Sequence, residues 1–429
     1  YQKVISGKIS GSAFEVPAGE VSLAMGLEHR IEDGNGIESL SNARNESTFG
    51  NQAPIFGKYD VTDAFAETVI PLFNAMPTEF NAAVRRSNYS TSGKVTTWKT
   101  GLTFQPHNDV SFRGYLSHDI RSPSRRELFA TTLFAGNQVI DPFLGGAAST
   151  ANTLTVGNAA LRPEVADSTG IGAVYTSSLL EGFSASVDYY DIDIEDSIGS
   201  VGAQATIDRC FGGETVFCPS LARNPDGTLK HILIQPVNYV LETNRGIDIE
   251  ASYRFAASDL MSSLPGDIEF RALATHYLEA SVDTGDRPVA VDSVGSNGNG
   301  PPNWKYTMTG SYRLDNARLS LTGRGISSGL IDPTFVECTT GCPVSTTFNR
   351  TIDNNHIDGA VFFDLSMSYT LNDIFNTDEA EIFLVVQNLM DKDPEIFPRY
   401  GANPVDPASN PTYYDILGRE LRFGIRTQF

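Results

Sequence analysis

Five carboxylates crowd into nine residues, DYYDIDIED, as Asp188, Asp191, Asp193, Glu195 and Asp196. Two carboxylates a few ångströms apart can do acid–base chemistry, and a cluster of them can take a cation such as calcium. The plainer reading is that these side chains sit at a strand end, face a wet lumen or rim, and are simply solvated. No residue therefore takes a catalytic label, and a non-enzymatic protein is expected. Four cysteines form two close pairs, Cys210 with Cys218 and Cys338 with Cys342, each in a polar stretch bearing Gly or Pro. Close pairs in loops read as disulfides in an oxidising compartment, with free thiols as the alternative. Zinc needs four convergent ligands, and neither pair has a neighbouring Cys or His set at that spacing. No metal or cofactor is expected.

The elements that hold these residues announce themselves by period-two alternation, which puts successive side chains on opposite faces of a strand. Trp304, Tyr306, Met308, Tyr312 and Leu314 alternate with Lys305, Thr307, Thr309, Ser311 and Arg313. Ile247, Ile249, Ala251, Tyr253 and Phe255 alternate with Asp248, Glu250, Ser252 and Arg254. The same holds for Val361 to Leu371, Val21 to Arg30 and Val110 to Ser117. Continued along the chain, the pattern gives about 15 strands of roughly 10 to 18 residues, long for a soluble sheet and long enough to cross a bilayer at a tilt.

Composition agrees. Lys plus Arg number 31 against 52 Asp plus Glu, a net charge of −21, which argues against a nucleic-acid partner. Mean hydropathy is −0.18, and no apolar run is long enough for a spanning helix; barrel strands escape that test because their hydropathy averages out.

Short connections at Pro17 to Glu20, Gln105 to Asn108, Ser178 to Gly182 and Asp315 to Asn316 take turns with mostly long ones. The long ones run near Asp33 to Phe56, Ile120 to Pro163, Asp196 to Pro236, Ser281 to Pro302, Ser328 to Asn355 and Asp391 to Pro411. Short turns on one side and long loops on the other describe an all-β, antiparallel transmembrane barrel of a bacterial outer membrane, with lipid around it and the long loops outside the cell. Both cysteine pairs fall in long loops. Tyr59, Tyr89, Tyr175, Tyr189, Tyr190, Tyr277 and Trp304 lie near strand ends and suit interfacial girdles, although any one of them is equally ordinary packing. No linker interrupts the pattern, so residues 1–429 read as one barrel domain. Single-chain barrels have even strand numbers, so an odd count suggests that part of the barrel lies outside the chain.

Five motifs are more specific. Phe14 to Arg30, FEVPAGEVSLAMGLEHR, resembles the mid-barrel hairpin of TonB-dependent outer-membrane receptors. RSPSRRELF at Arg121 to Phe129 resembles that family's segment after an upward strand, and NAALRPE at Asn158 to Glu164 its re-entry motif, with Ala159 where proline is usual. VVQNLMD at Val385 to Asp391 is similar to the penultimate-strand motif, and GRELRFGIRTQF at Gly418 to Phe429 to the closing strand. Leu421, Phe423, Ile425 and Phe429 share one face of that strand with Thr427, while Arg422, Arg426 and Gln428 point to the lumen.

The resemblance implies the C-terminal part of a 22-stranded barrel, with the plug domain and the TonB-binding segment absent from this chain. It implies TonB-energised uptake through that plug, capture of a small molecule by the long loops, and a terminal Phe429 that signals to the barrel-assembly machinery. DRCFGG at Asp208 to Gly213 and RNPDG at Arg223 to Gly227 look like receptors linked to oligosaccharide or peptide uptake. An acidic chain with loop aromatics Phe134, Phe143, Phe335, Tyr413 and Tyr414 suits sugar stacking better than an anionic ferric chelate, which would favour a basic funnel. An oligosaccharide or other organic nutrient is therefore expected, with a ferric siderophore or other metal chelate as the alternative. A passive porin and a secreted β-rich enzyme are the rivals from other classes.

Overall fold

The computed structural model describes residues 1–44, 46, 51–284, 290–345, 350–374, 377–397 and 408–428, with backbone alone at 51, 52, 134, 135, 239, 372–374, 377–379 and 428. Fifteen strands form one antiparallel meander in which every strand pairs with its neighbours in sequence. They are β1 (Gln2–Val16), β2 (Gly19–Gly36), β3 (Ile55–Phe73), β4 (Thr78–Tyr89), β5 (Gly93–His107), β6 (Val110–Arg121), β7 (Glu164–Thr176) and β8 (Phe183–Gly199). The series continues with β9 (Val237–Ala256), β10 (Asp267–Asp283), β11 (Trp304–Leu314), β12 (Ala317–Ile326), β13 (Ala360–Ile374), β14 (Thr377–Gln387) and β15 (Glu420–Gln428). A two-residue strand, Val291–Asp292, pairs with β10 off this path. β1 and β15 do not pair with each other, so the wall is an open sheet.

Register confirms the alternation strand by strand. Met308 faces Ala272 on one side and Gly323 on the other, and Leu321 faces Leu365, which faces Val386, which faces Leu421. These residues form one continuous apolar surface. The opposite surface carries Asp248 against Thr275, Ser311 against Ser320, and Glu381 against Arg426. Met308 is 58% and Phe423 72% exposed. Large side chains left in a contiguous open band are expected where lipid tails, not water, are the solvent. β9, at 20 residues, extends about 66 Å at 3.3 Å per residue, well beyond a hydrocarbon core of about 30 Å.

Connections of two to ten residues occupy one end of the meander. Asp315 sits at φ 47° in the two-residue turn between β11 and β12, a left-handed conformation that Asp tolerates better than most residues. At Gly182, ahead of β8, φ is +82° and an added Cβ would stand 2.0 Å from the Arg254 carbonyl, so only glycine fits. At the other end the connections are long, except for Ser90 to Ser92 between β4 and β5.

The interior packing was not foreseen in the sequence. The buried apolar clusters lie not along the wall but in the long loops and the strand ends beneath them, because a single-layer wall has lipid on one side and a lumen on the other. One cluster joins Ile326, Ile331, Ile357, Ala360, Phe362, Phe397 and Tyr414. The second joins Val139, Ala151, Ala203, Ile207, Leu229 and Ile232, inside a separate five-stranded sheet built entirely from loop segments.

Candidate functional site

The loop sheet is assembled from three connections. Thr131–Asp141 pairs with Ala147–Val156 and, through Asn51–Gln52, with the loop after β2; Leu229–Ile234 then adds in parallel and Leu221–Arg223 closes the order. The helix Ala203–Phe211 buries Ala203 and Ile207 against it. The Cys210–Cys218 disulfide ties that helix to the following turn, and Cys338–Cys342 closes a loop between β12 and β13; no cysteine is free.

At the edge of this sheet Asp141 is fully buried. Its carboxylate accepts two hydrogen bonds from Arg223, at 2.6 and 3.1 Å, and a third from the Phe143 amide at 3.1 Å. Burying a carboxylate costs several kcal/mol unless it is paired and hydrogen-bonded, and these contacts satisfy it. Arg223 in turn lies over the Phe143 ring at 4.7 Å, and Phe143 meets Phe211 edge-on at 5.0 Å. Phe143 remains 46% exposed, a fixed aromatic surface backed by a neutralised cation.

Two sequence motifs converge beneath it. Ser124 caps the short helix Arg125–Phe129 in a capping box with Glu127. Arg121, the last residue of β6, donates to both Glu127 and Glu164, the first residue of β7. Glu164 also accepts from the Ile198 amide, and Ser197 donates to Glu242. One guanidinium thus clamps the loop entry to its re-entry, and Glu164 and Ser197 carry the network on to the tops of β8 and β9. Burial works against the Glu127 carboxylate, but hydrogen bonds from Arg121 and Ser124 outweigh it and hold Glu127 below the usual glutamate range.

Deeper, the lumen face of β4 to β9 forms a hollow of about 520 Å³, to which Asn81, Lys99, Arg113, Tyr115, Tyr190 and Asp248 contribute polar groups. Arg113 makes two 2.7 Å hydrogen bonds to Asp188, and Lys99 lies 4.6 Å over Tyr115. The acidic run is thereby dispersed: Asp188 pairs with Arg113, Asp191 and Asp193 with Arg245, and Asp196 with Arg162. These four carboxylates are matched by arginines rather than by one another. Among the described residues no group of His, Cys, Asp and Glu is arranged to hold a metal.

The five aromatic candidates separate. Phe143 is presented as described. Phe335 and Tyr413 are half-buried against the first loop cluster. Tyr414 is a packing residue, 1% exposed, with its hydroxyl donating to the Asp358 carbonyl at 2.7 Å; burial pushes its phenol up. The Phe134 side chain and Phe429 lie outside the described residues. Sequence reasoning missed the Arg223–Asp141 pair and the Arg121 clamp. The clamp had a signal, since its partners stand inside two recognised motifs; of the pair only Arg223 did, at the head of RNPDG, and nothing in the sequence pointed to Asp141.

The family model for the β-barrel of TonB-dependent-receptor-like proteins matches residues 6–389. No curated protein matches the sequence. Among solved structures, a variant of the ferric enterobactin receptor of Pseudomonas aeruginosa in complex with enterobactin aligns at a TM-score of 0.63 and 14% identity, over 99% of this chain and 53% of that one. The siderophore receptor PirA of Acinetobacter baumannii aligns at 0.59 and 13%, over 99% and 54%. The FrpB iron transporter of Neisseria meningitidis aligns at 0.54 and 13%, over 99% and 54%. These likenesses are of fold, and the chain spans about half the length of each.

Proposed function

Because the chain belongs to the family of TonB-dependent receptor β-barrels, whose members are outer-membrane receptors and transporters rather than enzymes, we propose that it walls a receptor importing an uncharged organic nutrient, an oligosaccharide by preference. The observation that carries the ligand is the state of three arginines. Arg121, Arg113 and Arg223 are each committed to carboxylates, and the Phe143 ring is exposed beside Arg223. Paired charges offer hydrogen bonds to a polyhydroxyl ligand while presenting a weaker field to an anion than bare cations would, and an aromatic face stacks on a sugar ring. An anionic ferric chelate would be drawn by unpaired positive charge. The alternative, a siderophore receptor, draws on the structures of similar fold that are named for siderophores and iron.

On this reading TonB supplies the energy through a plug domain, and the C-terminal aromatic addresses the barrel-assembly machinery. Calorimetry on the complete receptor in detergent, with maltohexaose, xylohexaose and chitohexaose against ferric enterobactin, tests the ligand class. One of the glycans should bind, and Phe143→Ala should weaken it about tenfold or more, the scale of a stacking contact. Binding of the ferric chelate alone would overturn the saccharide reading and favour the alternative.

A further inference from the structure

The lipid-facing surface of β4 to β6 near the loop end differs from the rest of the wall in three respects. First, β4 and β5 are joined by only Ser90 to Ser92, so no long loop overhangs the membrane rim at this point. Second, the surface is basic although the chain is acidic. Arg86 faces Thr96 across the ladder, and Ala64 and Leu27 on its other side mark this as the outward surface. Lys94 and Trp98 are the two same-face diagonal neighbours of Arg86, each about 7 Å away. Arg86 and Lys94 are exposed, and among the described residues neither forms an ion pair; Arg86 donates only to the Thr96 hydroxyl. Trp98 faces His118, whose ring stacks on it within 8° of parallel and whose Nδ1 stands 2.7 Å from Asp167.

Third, directly below this row the same strands carry an apolar groove of about 490 Å³, walled by Phe80, Leu102, Phe104, Phe112 and Ile171. Gly114 lies at its floor, facing Leu102 and Ile171. From Thr100, two residues below Trp98, to Phe104 the groove runs about 13 Å, at 3.3 Å per residue. Two unpaired cations at headgroup height, an indole at the boundary and an apolar channel beneath are the complement of one amphiphile.

We propose that this patch binds a phosphorylated, acylated lipid of the leaflet on the loop side, Arg86 and Lys94 taking the phosphate and the groove one acyl chain. The charge complementarity is local, because the chain as a whole repels anions. The inference rests on the outer-membrane location and not on the nutrient assigned above. A basic residue near a charged membrane surface is worth about fivefold in binding, so two are worth about 25-fold.

Native mass spectrometry of the complete receptor in neutral detergent, titrated with diphosphorylated hexa-acyl lipid A and with its dephosphorylated form, tests it. The phosphorylated lipid should bind preferentially, and R86Q combined with K94Q should weaken it about 25-fold while the barrel keeps its shift on unboiled gels. Gly114→Leu, which meets only ordinary contacts at its Cβ, 3.6 Å or more, should fill the groove and weaken the same lipid. If the double variant loses the gel shift, K94Q alone carries the test, with about fivefold expected. Equal binding by wild type and charge variants, no preference for the phosphorylated lipid, or displacement by millimolar inorganic phosphate would each overturn the proposal, the last by showing a free-anion site.

Discussion

Truncating Ile207 or Ile232 to alanine should open the loop sheet and leave the barrel intact. Both side chains are fully buried, in one cluster with Val139, Ala151, Ala203 and Leu229. Each change removes three carbons, a transfer cost of about 2.4 kcal/mol before any cavity term, and buried Ile→Ala changes measure about 2–5 kcal/mol overall. Taking about 3 kcal/mol, local opening becomes about 100-fold more frequent. Hydrogen exchange followed by mass spectrometry should show that loss of protection in Ala147–Val156 and Leu229–Ile234, and little change in β11 to β13. The two regions share no layer of packing, and the wall strands are held by their own ladders. Unchanged protection in the loop segments would refute the idea that this cluster holds the sheet. Loss of the barrel's gel shift in the same variants would refute its independence from the wall.

Reduction of Cys210–Cys218 and Cys338–Cys342 should loosen the loops by about 2–3 kcal/mol each on the loop-entropy account and leave heat-modifiability unchanged; disappearance of the barrel on reduction would contradict this. Leu321→Arg, on the lipid face of β12, should cost about 2–4 kcal/mol near the bilayer midplane and lower the folded yield in liposomes, whereas Ser320→Arg, one residue away on the lumen face, should not. Glu127 is held below its ordinary value in the fold, so its contribution is present above the unfolded value and is lost as pH falls through the folded one. Amide protection around Ser124 to Ala130, corrected for intrinsic rates, should therefore be flat near neutrality and fall on acidification, and Glu127→Gln should remove that dependence.

The wall was legible because its rule is local. Each strand declares its two faces by alternation over its own residues, so Met308, Leu365 and Leu421 could each be assigned to the apolar face of its strand before any pairing was known, and the fifteen strands follow in sequence order. The turn and loop pattern was legible for the same reason, apart from the overlooked significance of Ser90 to Ser92. The candidate site was legible only in part. The cysteine pairs were found and Phe143 is exposed on the loop sheet, but Tyr414 reads in sequence like any loop aromatic, and its burial depends on Phe362, Phe397 and Ile357, which come from distant segments.

The division has a physical cause. Alternation, net charge and motif order, all properties of neighbouring residues, determined that the chain is a lipid-facing β wall with long loops at one end. Pairings between remote segments were decided by the tertiary structure alone. HILI at His231 to Ile234 joins Asn152 to Thr155 in parallel, Arg223 finds Asp141, and Arg121 closes on Glu127 and Glu164. A strand can state which face is greasy, but it cannot state which distant partner will share its edge, because that choice is made by the burial and charge pairing available only once the wall has brought the loops together.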